Sequence, residues 1–343
     1  MELILAGEWF SKKGFLKAEI ESVETYDSIA ELPEKLGLSF IVLSYSLARE
    51  TLGVSVKRDE KPQIILLKIR DFSPFSFEEP MSVSLQHLGN SLKDEEFVER
   101  IGKIKEYIAQ GDVYQINLTN RLDFQLIGNP RDLFFNFYKK QPVYFGFFLN
   151  FGEFFVISGS MELFLEKKGK LLRSKPIKGT GSSAQEILSS PKERAENLMI
   201  TDMVRNDIGR VAKIGSVRVE ELFKVERFRT LYQMHSSVVG ETEKGFKEIL
   251  LNTFPPASVT GAPKKRAVEI IDELEPHPRS YYCGAAGIVF PKGDFKLSVL
   301  IRTAIGKEDR VSYYAGCGIV WDSDPQKELK EMYLKVRAFW EGG

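Results

Sequence analysis

Residues 295–335 read FKLSVLIRTAIGKEDRVSYYAGCGIVWDSDPQKELKEMYLK, and the order of patterns within them decides the fold class. Phe295 to Ile305 and Arg310 to Val320 are apolar runs rich in β-branched and aromatic residues, separated by Gly306-Lys307-Glu308-Asp309. That arrangement predicts an antiparallel hairpin. Asp324-Pro325 then supplies an N-cap and a proline for the first helical position, so a helix follows. Farther upstream, Leu163-Phe164-Leu165 turns around Lys168-Gly169 into Leu171-Leu172, a second hairpin. Ser190-Pro191-Lys192-Glu193 opens a helix expected to run to about Ile208, with Ser190 as cap and Glu193 three residues on. Pro263 to Leu274 is another, with Ala267, Ile270, Ile271 and Leu274 on one apolar face. Phe97, Ile101, Ile104 and Ile108 mark a helix that stops at Gly111.

Residues 1–92 alternate short apolar runs, such as Ser39 to Ser44 and Gln63 to Ile69, with charged turns. They are expected to be strands of a smaller N-terminal part, and residues 93–343 the catalytic region of the same globular unit. Helices mix with antiparallel hairpins and no regular βαβ repeat, so the class is α+β.

The 48 basic residues balance the 48 acidic ones, so no global field draws the chain to nucleic acid or an anionic membrane, and anions must be captured locally. Two cysteines, Cys283 and Cys317, give neither a disulfide framework nor a cysteine zinc site, which implies a reducing, cytoplasmic setting. The first ten residues lack the basic and cleavage regions of a signal peptide. Val143 to Ile157 is too short and too interrupted to span a bilayer. Three scattered histidines and the absence of HExxH or GxSxG remove several hydrolase classes.

Two helices each carry a carboxylate pair at a spacing of three, Glu193 with Glu196 and Glu328 with Glu331. Each pair shares one helical face, where like charges repel unless a cation lies between them. If the helices face each other, the four side chains suit a hard ion such as magnesium. The alternative is a capping role for Glu193, solvation of Glu196 and an ion pair from Glu331 to Lys335. Lys178, in Pro176-Ile177-Lys178-Gly179-Thr180-Gly181, stands before glycines that let a ligand approach closely. An amine there is a candidate nucleophile, and a solvated strand-end lysine is the alternative. Because the lysine precedes the glycines, a P-loop does not fit. Arg302, in an apolar run, needs an anionic partner from protein or ligand. Thr260-Gly261-Ala262-Pro263-Lys264 is a helix start whose free N–H groups can receive a carboxylate. Tyr314-Ala315-Gly316-Cys317-Gly318 has almost no side-chain bulk, which marks close packing or ligand approach.

Taken in order, these segments resemble the chorismate-binding enzymes, the family of anthranilate, isochorismate, salicylate and aminodeoxychorismate synthases. The resemblance covers about residues 93–340. It is carried by Gly111-Asp112-Val113-Tyr114-Gln115-Ile116-Asn117, by Pro176 to Thr180, by Glu196 to Asp207 and by His235-Ser236-Ser237. Gly261-Ala262-Pro263-Lys264, Ile301-Arg302-Thr303-Ala304 and Tyr314 to Val320 complete it.

The resemblance implies two packed antiparallel sheets covered by helices, around a buried site for chorismate and magnesium. It assigns Glu196 and Glu331 to the metal, with Glu193 and Glu328 as companions. Tyr282, Arg302, Lys335 and the backbone near Ser258, Gly316 and Gly318 would hold the substrate's carboxylates, with His235 near the ring. Gln115 stands where water-using members have a lysine base, which argues for nitrogen chemistry. Lys178 replaces the alanine of anthranilate synthases and resembles the aminodeoxychorismate branch, in which the lysine attacks C2 while Glu162 assists the leaving C4 hydroxyl. Burial beside Met161 and Leu163 is expected to favour a protonated Glu162. Met161 stands where the family usually has proline. Residues 1–92 are shorter than usual and lack a tryptophan-binding signature. No amidotransferase nucleophile is visible, which implies a glutamine amidotransferase partner as ammonia source.

Overall fold

The computed structural model describes residues 1–10, 14–76, 79–181, 183–228 and 232–341. Strand pairing among these residues is antiparallel throughout. From Gln115–Ile127 it passes through Arg310–Ile319, Thr303–Lys307, Phe155–Ser160, Phe145–Asn150 and Glu2–Gly7. Gly14–Tyr26, Ile64–Phe75 and Ser39–Leu43 continue it to Ala285–Val289, Phe295–Val299, Leu163–Lys168, Leu171–Lys175 and Tyr232–Glu241. Further strands flank both ends, among them Ser84–Asn90 beside Gln115–Ile127 and Arg218–Arg227 beside Tyr232–Glu241. Among the described residues, the two layers anticipated from sequence are thus the halves of one 18-stranded hydrogen-bonded ribbon folded back on itself.

The halves meet through aromatic residues on their inner faces. Phe40 packs edge-on against Phe147 at 5.2 Å, and Trp9 against Phe40 and Phe145 at 5.7 and 5.1 Å. Such contacts add about 1 kcal/mol each beyond the area they bury. Helices cover the outside. Asp94–Ala109, Pro130–Lys140, Lys264–Leu274 and Pro325–Trp340 share one core with the strands around Gln115–Ile127. Pro191–Gly209 and Phe246–Thr253 pack on the half that contains Tyr232–Glu241. Among the described residues, no helix is long and apolar enough to cross a membrane.

One sequence expectation needs correction. Phe295 to Ile305 is not one strand: Phe295–Val299 pairs with Ala285–Val289, whereas Thr303–Lys307 pairs with Phe155–Ser158 in the other layer. Residues 300–302 make the crossing, and Arg302 takes a left-handed backbone, φ 51°. A continuous apolar run cannot reveal where a strand changes partners, because both halves bury it.

A buried ion pair locks the joint beside the future site. Arg279 donates to both carboxylate oxygens of Glu275 at 2.7 and 2.8 Å, and to the carbonyls of Val259 and Asn117. Glu275 also accepts from the Thr119 N–H and hydroxyl, both at 2.8 Å. Arg279→Met would leave a buried carboxylate without its counter-charge and is expected to cost about 3–5 kcal/mol. A urea midpoint unchanged from wild type would refute this, and adding Glu275→Leu should restore part of the loss.

Candidate active site

Two helix starts build the rim. The Ser190 hydroxyl accepts from the Glu193 N–H, and Asp324 accepts from the Lys327 N–H, so the caps expected from sequence form. Asn197, fully buried, fixes the first helix to the sheet by donating to the carbonyls of Lys178 (3.2 Å) and Met234 (3.4 Å). Ser236 donates in turn to Asn197. The second helix is tied to Arg310–Ile319 through Lys335, whose ammonium donates to the Gly316 carbonyl at 2.8 Å.

The two helices do face each other. The Lys192 ammonium lies 3.3 Å from Glu328 and 3.9 Å from Glu196, bridging them. Burial raises the pKa of Glu193 and of Glu196; neighbouring Glu196 adds to the effect on Glu193, and Lys178 and Lys192 oppose the effect on Glu196. Burial also pushes Glu331 upward, but its 2.7 Å pair with Lys335, aided by Lys192 and Lys178, outweighs it and the carboxyl is lowered. Glu328 is buried and accepts from the Ser323 hydroxyl at 2.7 Å.

Lys178 looks into this rim from the strand Ile177–Gly181. Its charge acts on Glu162, Glu193, Glu196 and Glu331. Glu162 is 4% exposed, and burial raises its pKa to about 7 against the Ser258 hydroxyl, the Lys178 charge and the Ile177 N–H. Gly318 explains how Lys178 and Gln115 come together. A Cβ there would lie 2.2 Å from Gln115 Nε2 and 3.3 Å from Lys178 Nζ, so the missing side chain is the room both use. Gly316 allows a similarly close approach of the Leu118 carbonyl. The Gln115 amide nitrogen lies 3.4 Å from Glu196, and its buried Oε1 has no hydrogen-bond partner among the described residues.

Other candidates fall differently. Arg302 donates to the Lys335 carbonyl at 2.8 Å, and among the described residues no carboxylate forms an ion pair with it. Its charge is therefore available to an anionic ligand. Tyr282 is buried and stacks on Tyr314 at 5.2 Å, a core position. His235 is not drawn into the Lys178 cluster. It faces a cavity of about 250 Å³ shared with Tyr144, Met161, Ile177 and Glu226, and lies 3.6 and 3.8 Å from Glu221 and Glu226. Ile177 is its direct strand partner, and paired residues share a face, which turns His235 away from Lys178. At the helix start read as offering free N–H groups, the Lys264 side chain pairs with Asp207 at 2.5 Å.

A hard divalent ion suits the carboxylates on the two helices. Their carboxylate oxygens are the hard donors such an ion takes, and the Gln115 amide reaches Glu196 through its nitrogen. Cys317 lies within 4.8 Å of Glu328 and Glu331, but burial raises its thiol to about 12, and a thiol is a poor ligand for such an ion. Sequence reasoning missed Lys192 and Asn197. Lys192 lies four residues before Glu196, a spacing that signals a pair. Asn197 is polar on the helix face turned to the sheet, and such a residue is kept only when bonded.

The sequence pattern of the family described as chorismate binding enzyme matches residues 35–341. Anthranilate synthase component 1 of Aquifex aeolicus is 40% identical over 256 residues, covering 71% of this chain and 52% of that protein. Aminodeoxychorismate synthase component 1 of Escherichia coli is 33% identical over 331 residues, covering 91% and 72%. The crystal structure of anthranilate synthase component I from Streptococcus pneumoniae superposes with a TM-score of 0.78 at 25% identity, covering 99% of this chain and 90% of that one. The chain spans about half the length of several of the curated relatives it matches. By the extent of this match, the chain belongs to the chorismate binding enzyme family.

Proposed function

We propose that the chain is the chorismate-converting component of an aminodeoxychorismate synthase, forming 4-amino-4-deoxychorismate from chorismate and ammonia on the route to 4-aminobenzoate and folate. Lys178 carries the reading, because its ammonium acts at once on the buried acid Glu162 and on the glutamates of both helices. Glu162, with a pKa of about 7, keeps below neutrality the proton that a general acid must give. The Lys178 amine bonds to C2, both ring double bonds shift, and the C4 hydroxyl leaves as water with the Glu162 proton. Ammonia then bonds to C4 and returns a proton to Glu162, both double bonds shift back, and the C2–N bond breaks to free the lysine amine. Glu196 and Glu331 would hold magnesium, with Glu193 and Glu328 directly or through water. The ion would supply positive charge to the ring carboxylate. Arg302 and Lys335 would meet the other substrate carboxylate, and Gln115 leaves no lysine base to activate water. Ammonia would come from glutamine through a partner amidotransferase.

A second reading, anthranilate synthase component I, is favoured by the 40% identical relative of that name. The two differ in product. Purified protein with chorismate, magnesium and ammonium is expected to yield a compound that a lyase converts to 4-aminobenzoate. Fluorescent anthranilate appearing without the lyase would reverse the assignment.

A further inference from the structure

Lys192 has no part in the chemistry above, yet its ammonium contacts the Oε1 atoms of Glu196 and Glu328, one on each facing helix, at 3.9 and 3.3 Å. Those are oxygens that a divalent ion held between the helices would need. An ammonium and such an ion repel, and both cannot hold the same carboxylate oxygens at contact distance. Lys192 sits in the first turn of Pro191–Gly209, and its side chain is 44% exposed. Its long, flexible stem can carry the charge out to water without moving the helix.

We propose that Lys192 is a tethered counter-ion that competes with the divalent cation, holding the two glutamate helices together until the metal displaces it. This rests on the metal reading of the site. Lys192 therefore lowers affinity for free metal and stabilises the metal-free enzyme, so the rim does not spring open through repulsion among Glu193, Glu196, Glu328 and Glu331.

The test is a calorimetric titration of Mg²⁺ into metal-free wild type, Lys192→Met, Lys192→Arg and Glu328→Gln, with melting temperatures measured at low and saturating Mg²⁺. Lys192→Met is expected to bind Mg²⁺ about tenfold more tightly than wild type. It should melt lower without metal and regain the difference with it, whereas Lys192→Arg should behave as wild type. Lys192→Met affinity equal to or weaker than wild type, with Glu328→Gln binding impaired, would overturn the counter-ion while leaving the metal site standing. Absence of Mg²⁺ binding in every protein would remove the metal reading itself, and the counter-ion with it.

Discussion

Lys178→Ala is expected to lower the turnover of chorismate to aminodeoxychorismate by at least about a thousandfold, equivalent to roughly 4 kcal/mol of barrier. The variant removes the only atom proposed to bond to C2. Gln115 is an amide, and Lys335 is committed to Glu331 and to the Gly316 carbonyl. Substrate affinity should change far less, because Arg302, Lys335 and the glutamates remain. Steady-state kinetics with ammonium, alongside a chorismate binding titration, separate the two effects. Direct release of anthranilate by the variant would also fit, since the ring could then be aminated without the covalent step. Turnover within tenfold of wild type, with the same product, would eliminate the lysine adduct.

Glu162→Gln is expected to cost about 10²- to 10⁴-fold in rate, the usual worth of a positioned general acid. Its pH behaviour is more telling than its size. Burial raises Glu162 from an ordinary carboxyl value of 4.5 to about 7, so it remains an acid below neutrality and ionises as the pH rises through 7. The rate in wild type should fall on that alkaline side, and the glutamine variant should lose this limb of the profile. Stability moves in the same direction. The folded protein holds this proton more tightly than the unfolded chain, so the stabilising contribution is complete below about pH 4.5 and is lost progressively up to about pH 7. The loss is on the order of 3 kcal/mol. Urea unfolding of wild type and variant at pH 5 and pH 8 measures it; parallel pH dependences would show that Glu162 is not the group responsible.

The parts of the fold written in local pattern are legible in the sequence. Ser190-Pro191 and Asp324-Pro325 cap their helices as expected, and Gly169 turns the hairpin between Leu163–Lys168 and Leu171–Lys175. Long-range pairing was not readable. Nothing near Ser39–Leu43 announces that its neighbour is Ala285–Val289, because β patterning encodes which face is apolar and not which strand lies alongside. At the site, the chemistry-bearing residue types were visible, but their facing was conditional. Whether Glu196 meets Glu328 depends on how two distant helices pack, and the small Gly316-Cys317-Gly318 stretch could have served helix packing alone. His235 shows the limit of motif matching, because strand pairing with Ile177 decides which way the ring points.

The opening strands have a further consequence for biogenesis. Glu2–Gly7 waits for Phe145–Asn150, and Ser39–Leu43 waits for Ala285–Val289. These segments join the half bearing Gln115 and Gly318 to the half bearing Lys178, so a nascent chain has no assembled reaction centre until Arg310–Ile319 and Pro325–Trp340 have left the ribosome. Ribosome-bound intermediates should therefore keep β edges exposed for most of synthesis, a topology that folds slowly and favours chaperone engagement.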